Sequence, residues 1–356
     1  MKVAILGYGV VGKGVEKICL EKGIEVSYIL MRPIDELTKP CMTTSLDEIL
    51  NSDVDCVVEC IGGLEPSHTY VKEALNHHKN VISSNKKMLV HFLKELVQLS
   101  NDNNVSLLFS AACGGGIPWL PELNNISVTD KLNSFMGVMN GTSNYILDSM
   151  YKNNVDFDVA LKKAQELGYA EADPSDDIDG VDTANKTILS SVIGFNTYVD
   201  LNDVFVKGIR YYSKQDLDFV KNGNHKVVLL GKGLKNEDGS ITLSVMPTFV
   251  KSGVFANIND NYNCFESHSC NLGKLSFIGQ GAGSLPTASN VVRDINLLNN
   301  PYRVNIKEVV KSNYDLNKAK YYIRNGNEIT MTDLITINEL KSMIKEDSFV
   351  AEVIDD

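Results

Sequence analysis

Residues 171 to 186 read EADPSDDIDGVDTANK, six carboxylates (Glu171, Asp173, Asp176, Asp177, Asp179 and Asp182) closing on one lysine, Lys186. Such a group can bind a metal, move a proton, or simply decorate a solvated helix. Spacing removes calcium: an EF-hand loop fits only with its glycine at Gly180, and Lys186 then stands at the twelfth position, where a bidentate carboxylate is required. Asp182 and Lys186 are four residues apart, so a helix begun near Asp179 carries both on one face, with Glu171 and Asp176 arriving from the preceding loop. As bare helix support that pair is worth roughly 0.2–0.5 kcal/mol. As chemistry it offers more, because a lysine with the ordinary pKa of about 10.4 is protonated at neutral pH and can act as an acid beside a carbonyl oxygen. In the reverse direction the amine must first be neutral, so any step in which it takes a proton back is expected to be favoured by alkaline pH.

A second constellation lies at the N-terminus. In KVAILGYGVVGKG, Gly7, Gly9 and Gly12 stand in G-x-G-x-x-G register after a strand pattern and at the mouth of a helix. Gly7 makes the tight turn, Gly9 lets backbone N–H groups approach a pyrophosphate, and Gly12 lets helix and strand pack closely. A dinucleotide site is expected. Where an acid would hold a ribose 2′-OH, the end of the second strand reads YILMRP, so Arg32 favours a 2′-phosphate, hence NADP over NAD, with Asp35 nearby as the argument for an ordinary surface arginine.

The elements that must position these residues follow two rhythms. Up to residue 125, KVAIL, IEVSYIL, DCVVEC, KNVISS and VSLLFS alternate with helical stretches, which predicts βαβ units in a Rossmann-type, doubly wound parallel sheet. From 126 the pattern changes to LNSFMGVMN, helices over 143–168 and 179–194, and amphipathic strands around the turn NEDGS, which predicts an α+β domain with an antiparallel sheet over 126–279. GQGAGSLPTASNVVRDINLL opens a helix that returns to the first domain over about 280–300, and the tail 301–356 holds the strand candidates AKYYIR and FVAEVI and the helix candidate TINELKSMIK.

Composition bounds the class. The chain has 356 residues, 43% of them hydrophobic, and a net charge of -11, which supports a large core and argues against nucleic-acid or anionic-membrane surfaces. No run is apolar enough for a membrane span or shaped as a signal peptide. Seven scattered cysteines with no C-x-x-C spacing point to reduced thiols in the cytoplasm.

MNGTSNYIL (139–147), LGYAEADPSDDIDGVDTANK (167–186), IGFNTYVDLNDVFVKGI (193–209) and GQGAGSLPTASNVV (279–292), with SNKKML (84–89), together resemble homoserine dehydrogenase in order and spacing, over residues 1 to 300. The resemblance implies reversible reduction of L-aspartate 4-semialdehyde to L-homoserine with NADP or NAD, in threonine and methionine biosynthesis, by a homodimer whose second domain carries substrate binding and dimerisation. It implies that Lys186 moves the proton, that Lys86 lies at the reaction centre, and that Glu171 and Asp182 hold the substrate ammonium group with Asp176, Thr142 and Tyr169 around it. It places Gly7, Gly9, Val10, Val11, Gly12, Arg32, Cys60, Ser84, Lys86, Gly168 and Gly281 at the cofactor. FSAACGGGIP (109–118) resembles the family's sodium-binding segment, implying backbone ligands around Ser110, Cys113, Gly115 and Ile117, although Ser110 stands where the family has Glu and Cys113 where it has Val. Longer members append an ACT domain of about seventy residues, and the thirty-seven or so that follow from AKYYIR are too few for one.

Two other readings compete. Cys113 beside three glycines could be the nucleophile of a phosphorylating semialdehyde dehydrogenase, but such a thiol needs a base, and none of the six histidines stands in a telling position. The same fold could also serve a non-catalytic NADP sensor, which would need the glycine loop but not Lys86, Glu171, Asp182 and Lys186 together.

Overall fold

The computed structural model describes residues 1–354. They divide into two units, Met1–Asn125 with Val192–Thr197 and Gln280–Glu308, and Ile126–Ser191 with Tyr198–Gly279 and the chain from Val309 onward.

The chain begins β1 (Lys2–Leu6), α1 (Val10–Glu21), β2 (Glu25–Leu30), β3 (Met42–Thr43), α2 (Leu46–Leu50), β4 (Cys56–Glu59), α3 (Ser67–Asn76), β5 (Asn80–Ser83), α4 (Lys86–Asp102), β6 (Leu107–Leu108) and α5 (Trp119–Thr129). The six strands form one parallel sheet in the order β3-β2-β1-β4-β5-β6, so the chain reverses direction across the sheet between β1 and β4. Ligands of doubly wound sheets bind at the carboxyl ends of the strands flanking that reversal. The five strands expected from β-branched runs are present. β3 has only two residues, too few for periodicity to reveal. Val3, Ile5, Val15, Val58, Ile82 and Leu108 are buried together with Ala288, Val291 and Ile295.

The chain continues as β7 (Leu132–Val138), α6 (Gly141–Asn153), α7 (Phe157–Glu166), α8 (Ser175–Ile178), α9 (Val181–Phe195), β8 (Thr197–Val199), β9 (Phe205–Val206), α10 (Lys214–Asn222), β10 (Lys226–Lys235), β11 (Ile241–Val250), β12 (Tyr262–Ser269) and β13 (Gly273–Gln280). After these come α11 (Ser284–Leu297), β14 (Glu308–Val310), β15 (Lys318–Asn325), β16 (Glu328–Met331), β17 (Ile335–Thr336), α12 (Ile337–Lys341) and β18 (Phe349–Ile354). The large sheet runs β13-β12-β7-β10-β11-β18-β15-β16, and NEDGS joins β10 to β11 as a hairpin with Gly239 at φ +87. The sheet is mixed rather than wholly antiparallel, because β18 and β9 both lie parallel to β11. β18 arrives after the β15 to α12 excursion, so no hairpin sets its direction. The tail thus extends this sheet, and its Tyr321, Ile323, Ile337, Leu340 and Val350 are buried with Phe205 and Met246.

The helical stretch expected over 143–168 is two helices. Asn154 caps α6 in the left-handed conformation (φ 55, ψ 40), which asparagine adopts at low cost, and Asp156 then opens α7. The helix expected from 179 begins at Val181, after Gly180 at φ +86. α9 lies close against the sheet because β10 presents Gly231, where a Cβ would stand 2.3 Å from Thr187 Oγ1 and 2.9 Å from Thr183 Cγ2. α11 packs on α1 through Gly14, whose added Cβ would stand 3.0 Å from that of Ala288.

Inside the second unit, Asp148 of α6 is 2% exposed, accepts from Lys152 Nζ at 2.7 Å and from the Asp260 N–H at 2.9 Å, and lies 3.1 Å from Lys226 Nζ. Burial alone would raise its pKa, but the bonds from Lys152, Asp260 and Lys226 outweigh it and hold the carboxyl below its usual range. A depressed folded pKa gives stability that is present above the unfolded value and lost as pH falls through the folded one. Asp148→Asn should therefore lower stability by about 3 kcal/mol at pH 7, with the gap to wild type narrowing below about pH 4. Urea midpoints at pH 7 and pH 3 measure this, and a gap of equal size at both would refute it.

Candidate active site

Lys186 and Asp182 lie on one face of α9, 6% and 3% exposed. Lys186 Nζ donates to Asp182 Oδ2 at 2.7 Å and to the Met139 carbonyl at 2.6 Å. The i,i+4 pair is thus not surface support. A buried ammonium needs several oxygen acceptors to offset its lost hydration, and here one comes from its own helix and one from the chain just beyond β7.

Asn140 and Asp177 belong to the same cluster, and sequence reasoning did not single them out as site residues. Asn140 Nδ2 donates to Asp182 Oδ2 at 2.8 Å and to Asp177 Oδ1 at 2.6 Å, while its Oδ1 caps α6 by accepting from the Ser143 N–H at 2.7 Å. The available signal was the Asn-Gly pair before a helical pattern in MNGTSNYIL. Asn263 of β12 donates to the same Met139 carbonyl at 2.9 Å and polarises it. Thr142 Oγ1 donates to the Tyr169 carbonyl at 2.5 Å, and the Tyr145 and Tyr169 rings meet edge to face. Glu171 and Asp176 are exposed, as is Gly168, which turns the chain at φ +75. Arg210 grips Asp179 with Nε and Nη2, both at 2.6 Å, so one of the six carboxylates supports the fold.

In the first unit the glycine loop joins β1 to α1. Gly7 takes φ +90, a Cβ on Gly12 would lie 2.2 Å from the Gly7 carbonyl oxygen, and Gly9 caps α1 with nothing within 4 Å of a built Cβ. The turn is closed on its inner side and open at the helix N-terminus, the arrangement a pyrophosphate requires. Val10 is exposed and Val11 half-buried. Beside the loop, the buried Glu59 at the end of β4 accepts from the N–H groups of Ile61 at 2.8 Å and Gly62 at 3.2 Å and from Ser83 Oγ at 2.6 Å, fixing the turn that carries Cys60, while Ser84 directly follows β5. Lys86 is the first residue of α4, behind the cap Asn85. Arg32 is committed locally: Nη2 donates to Asp35 Oδ1 at 2.8 Å and Nε to Oδ2 at 3.1 Å, although 76% of the arginine side chain is exposed.

The segment after β6 is pinned to α11. Ser110 donates to the buried Asp294 from its N–H at 2.8 Å and its hydroxyl at 2.5 Å, and burial, against those two bonds, pushes the Asp294 carboxyl up to about 7. Asn290 Nδ2 donates to the carbonyls of Gly115 and, at 2.8 Å, Ile117. Gly115 lies so near Gly281 that a Cβ would stand 2.5 Å from its carbonyl. Cys113 is fully buried, which does not suit a nucleophile. Among the described residues no cluster of His, Cys, Asp and Glu is arranged to hold a metal, and no helix is long and apolar enough to cross a membrane.

The sequence matches the family described as "Homoserine dehydrogenase" over residues 118–296 and "Homoserine dehydrogenase, NAD binding domain" over 7–110. A homoserine dehydrogenase of Synechocystis is 36% identical over 313 residues, 83% of this chain and 72% of the relative, and that of Bacillus subtilis is 34% identical with the same coverage. The crystal structure of a homoserine dehydrogenase from Thiobacillus denitrificans superposes with a TM-score of 0.89 at 26% identity, covering 100% of this chain and 98% of that one.

Asn140→Asp keeps the oxygen that caps α6 but removes the amide donors between Asp177 and Asp182. Stability should fall by about 2 kcal/mol at pH 8, with a smaller loss at pH 4, where protonation relieves the crowding of carboxylates. Thermal unfolding across that range is the measurement, and wild-type stability at pH 8 would remove Asn140 from the cluster.

Proposed function

The chain belongs to the homoserine dehydrogenase family, an NAD(P)-dependent oxidoreductase that interconverts L-aspartate 4-semialdehyde and L-homoserine, and on that premise we propose which of its residues carry the reaction. The observation that bears most weight is the buried Lys186 ammonium held between Asp182 and the Met139 carbonyl. Bound nicotinamide supplies or accepts the hydride. Lys186 gives its proton to the aldehyde oxygen as charge develops there, and recovers one in the reverse direction. Its two acceptors limit its rotation, so that the proton is delivered along one direction. Asp182, with Glu171 and Asp176 from the acidic stretch, attracts and orients the substrate ammonium group. Thr142 and Tyr169 shape the substrate region, and Lys86 assists at the reaction centre.

Gly7, Gly9, Val10, Val11 and Gly12 hold the dinucleotide, with Cys60, Ser84, Lys86, Gly168 and Gly281 completing its surroundings. The open cap at Gly9 and the closed approach of Gly12 to Gly7 suit that assignment. NADP is the preferred form. The Arg32–Asp35 pair is exposed, and such pairs contribute about 0–1 kcal/mol, less than the roughly 1.5–3 kcal/mol of a charge-assisted bond, so a 2′-phosphate can draw the guanidinium away. Residues 1–125 with about 280–300 form the cofactor domain, and 126–279 the substrate and dimerisation domain, followed by the extension 301–356. A homodimer is supported by the edge strand β13, which exposes Leu275 and Ile278. A cytoplasmic location is part of the proposal, on the seven scattered cysteines without C-x-x-C spacing. Sodium is not part of the proposal, because a nitrogen atom stands where the Gly115 and Ile117 carbonyls converge.

Lys186→Met should lower kcat by about 10²–10⁴ while cofactor affinity persists, whereas Asp182→Asn should raise KM for homoserine by more than it lowers kcat. Steady-state kinetics with circular dichroism distinguishes them, and near-wild-type turnover of folded Lys186→Met would overturn the mechanism. Arg32→Asp should reduce the NADPH over NADH preference in kcat/KM by roughly ten- to a hundredfold. An unchanged ratio would return Arg32 to the role of a loop residue.

A further inference from the structure

The loop that follows β6 presents the carbonyls of Gly115 and Ile117 to one point, and Asn290 Nδ2 stands at that point. Asn290 is fully buried, one helical turn before Asp294, which holds Ser110 of the same segment, so a single face of α11 fastens both ends of Ser110–Ile117. Two further observations show that the arrangement is built. Arg293 Nη1 donates to Asn290 Oδ1, which fixes the amide with its oxygen away from the carbonyls and its nitrogen towards them. The Gly116 N–H donates to the Gln280 carbonyl at 3.2 Å, which closes the loop from its other side.

Two converging carbonyl oxygens repel one another and need a positive or partly positive group between them. A monovalent cation can serve, and so can an N–H₂ group, which offers two donors of fixed direction. Both cannot stand at the same point. We infer that the Asn290 amide is this chain's covalent substitute for a monovalent cation, and that the Ser110–Ile117 loop keeps its shape without one.

The test uses the full-length protein in sodium, potassium or choline chloride at one ionic strength. Wild type should show the same melting temperature and the same turnover in all three. Asn290→Asp keeps the shape but replaces the donors with a carboxylate. It should melt lower by about 4 °C in choline chloride and recover part of that loss with saturable dependence on sodium or potassium. A saturable rise in the wild-type melting temperature with either cation would overturn the inference. So would an Asn290→Asp variant that melts with wild type in choline, since the amide donors would then hold nothing.

Discussion

An ammonium group buried to 6% exposure sets the terms for the second unit. Desolvating a lysine costs several kcal/mol unless oxygen atoms replace its water, and Lys186 obtains them from Asp182 on its own helix and Met139 at the end of β7. Each requirement then passes outward. Asp182 needs a donor and finds Asn140, Asn140 reaches Asp177, and the Met139 carbonyl takes a second bond from Asn263. α9 can come near enough to the sheet to complete this chain of bonds only because Gly231 offers no side chain beneath Thr183 and Thr187.

The first unit solves a different problem by different means. A dinucleotide phosphate is recognised by backbone, so what matters at Gly7, Gly9 and Gly12 is the lack of side chains. Charged groups there act as braces: Glu59 holds the turn beyond β4, and Asp294 holds Ser110. The division is chemically sensible. In the proposed roles, phosphate binding would use the N–H groups of a helix end, which carry no net charge and need no burial, whereas proton transfer would use an ionised side chain whose direction must be enforced.

The tail illustrates how sheet edges are managed. An exposed β11 would offer a long row of unpaired backbone groups; β9 pairs with it at Ser244 and Val245 and β18 at Thr248 to Val250, with β18 backed by β15 and β16. Phe349, Tyr322 and Phe249 meet across these strands, so the extension is packed into the second unit and is not a loosely attached module.

Features that depend on neighbours within a few residues were legible in the sequence alone: the glycine register before α1, the i,i+4 placement of Asp182 and Lys186, the NEDGS hairpin and the alternation of strands and helices. Backbone sterics and helical periodicity act over that range, so residue order suffices. Tertiary structure decided the rest. Lys186 meets Met139 across 47 positions, Asn140 meets Asp182 across 42, and Asn290 meets Ile117 across 173. Nothing in local order distinguishes Asn290 from a surface asparagine. Whether an acid binds, caps or braces depends on which donors packing brings to it, as Asp182, Asp179 and Asp35 show by ending beside a lysine, one arginine and another. Burial is likewise a property of the assembled layers, and it turned an ion pair worth a few tenths of a kcal/mol on a free helix into the charged centre of the candidate site.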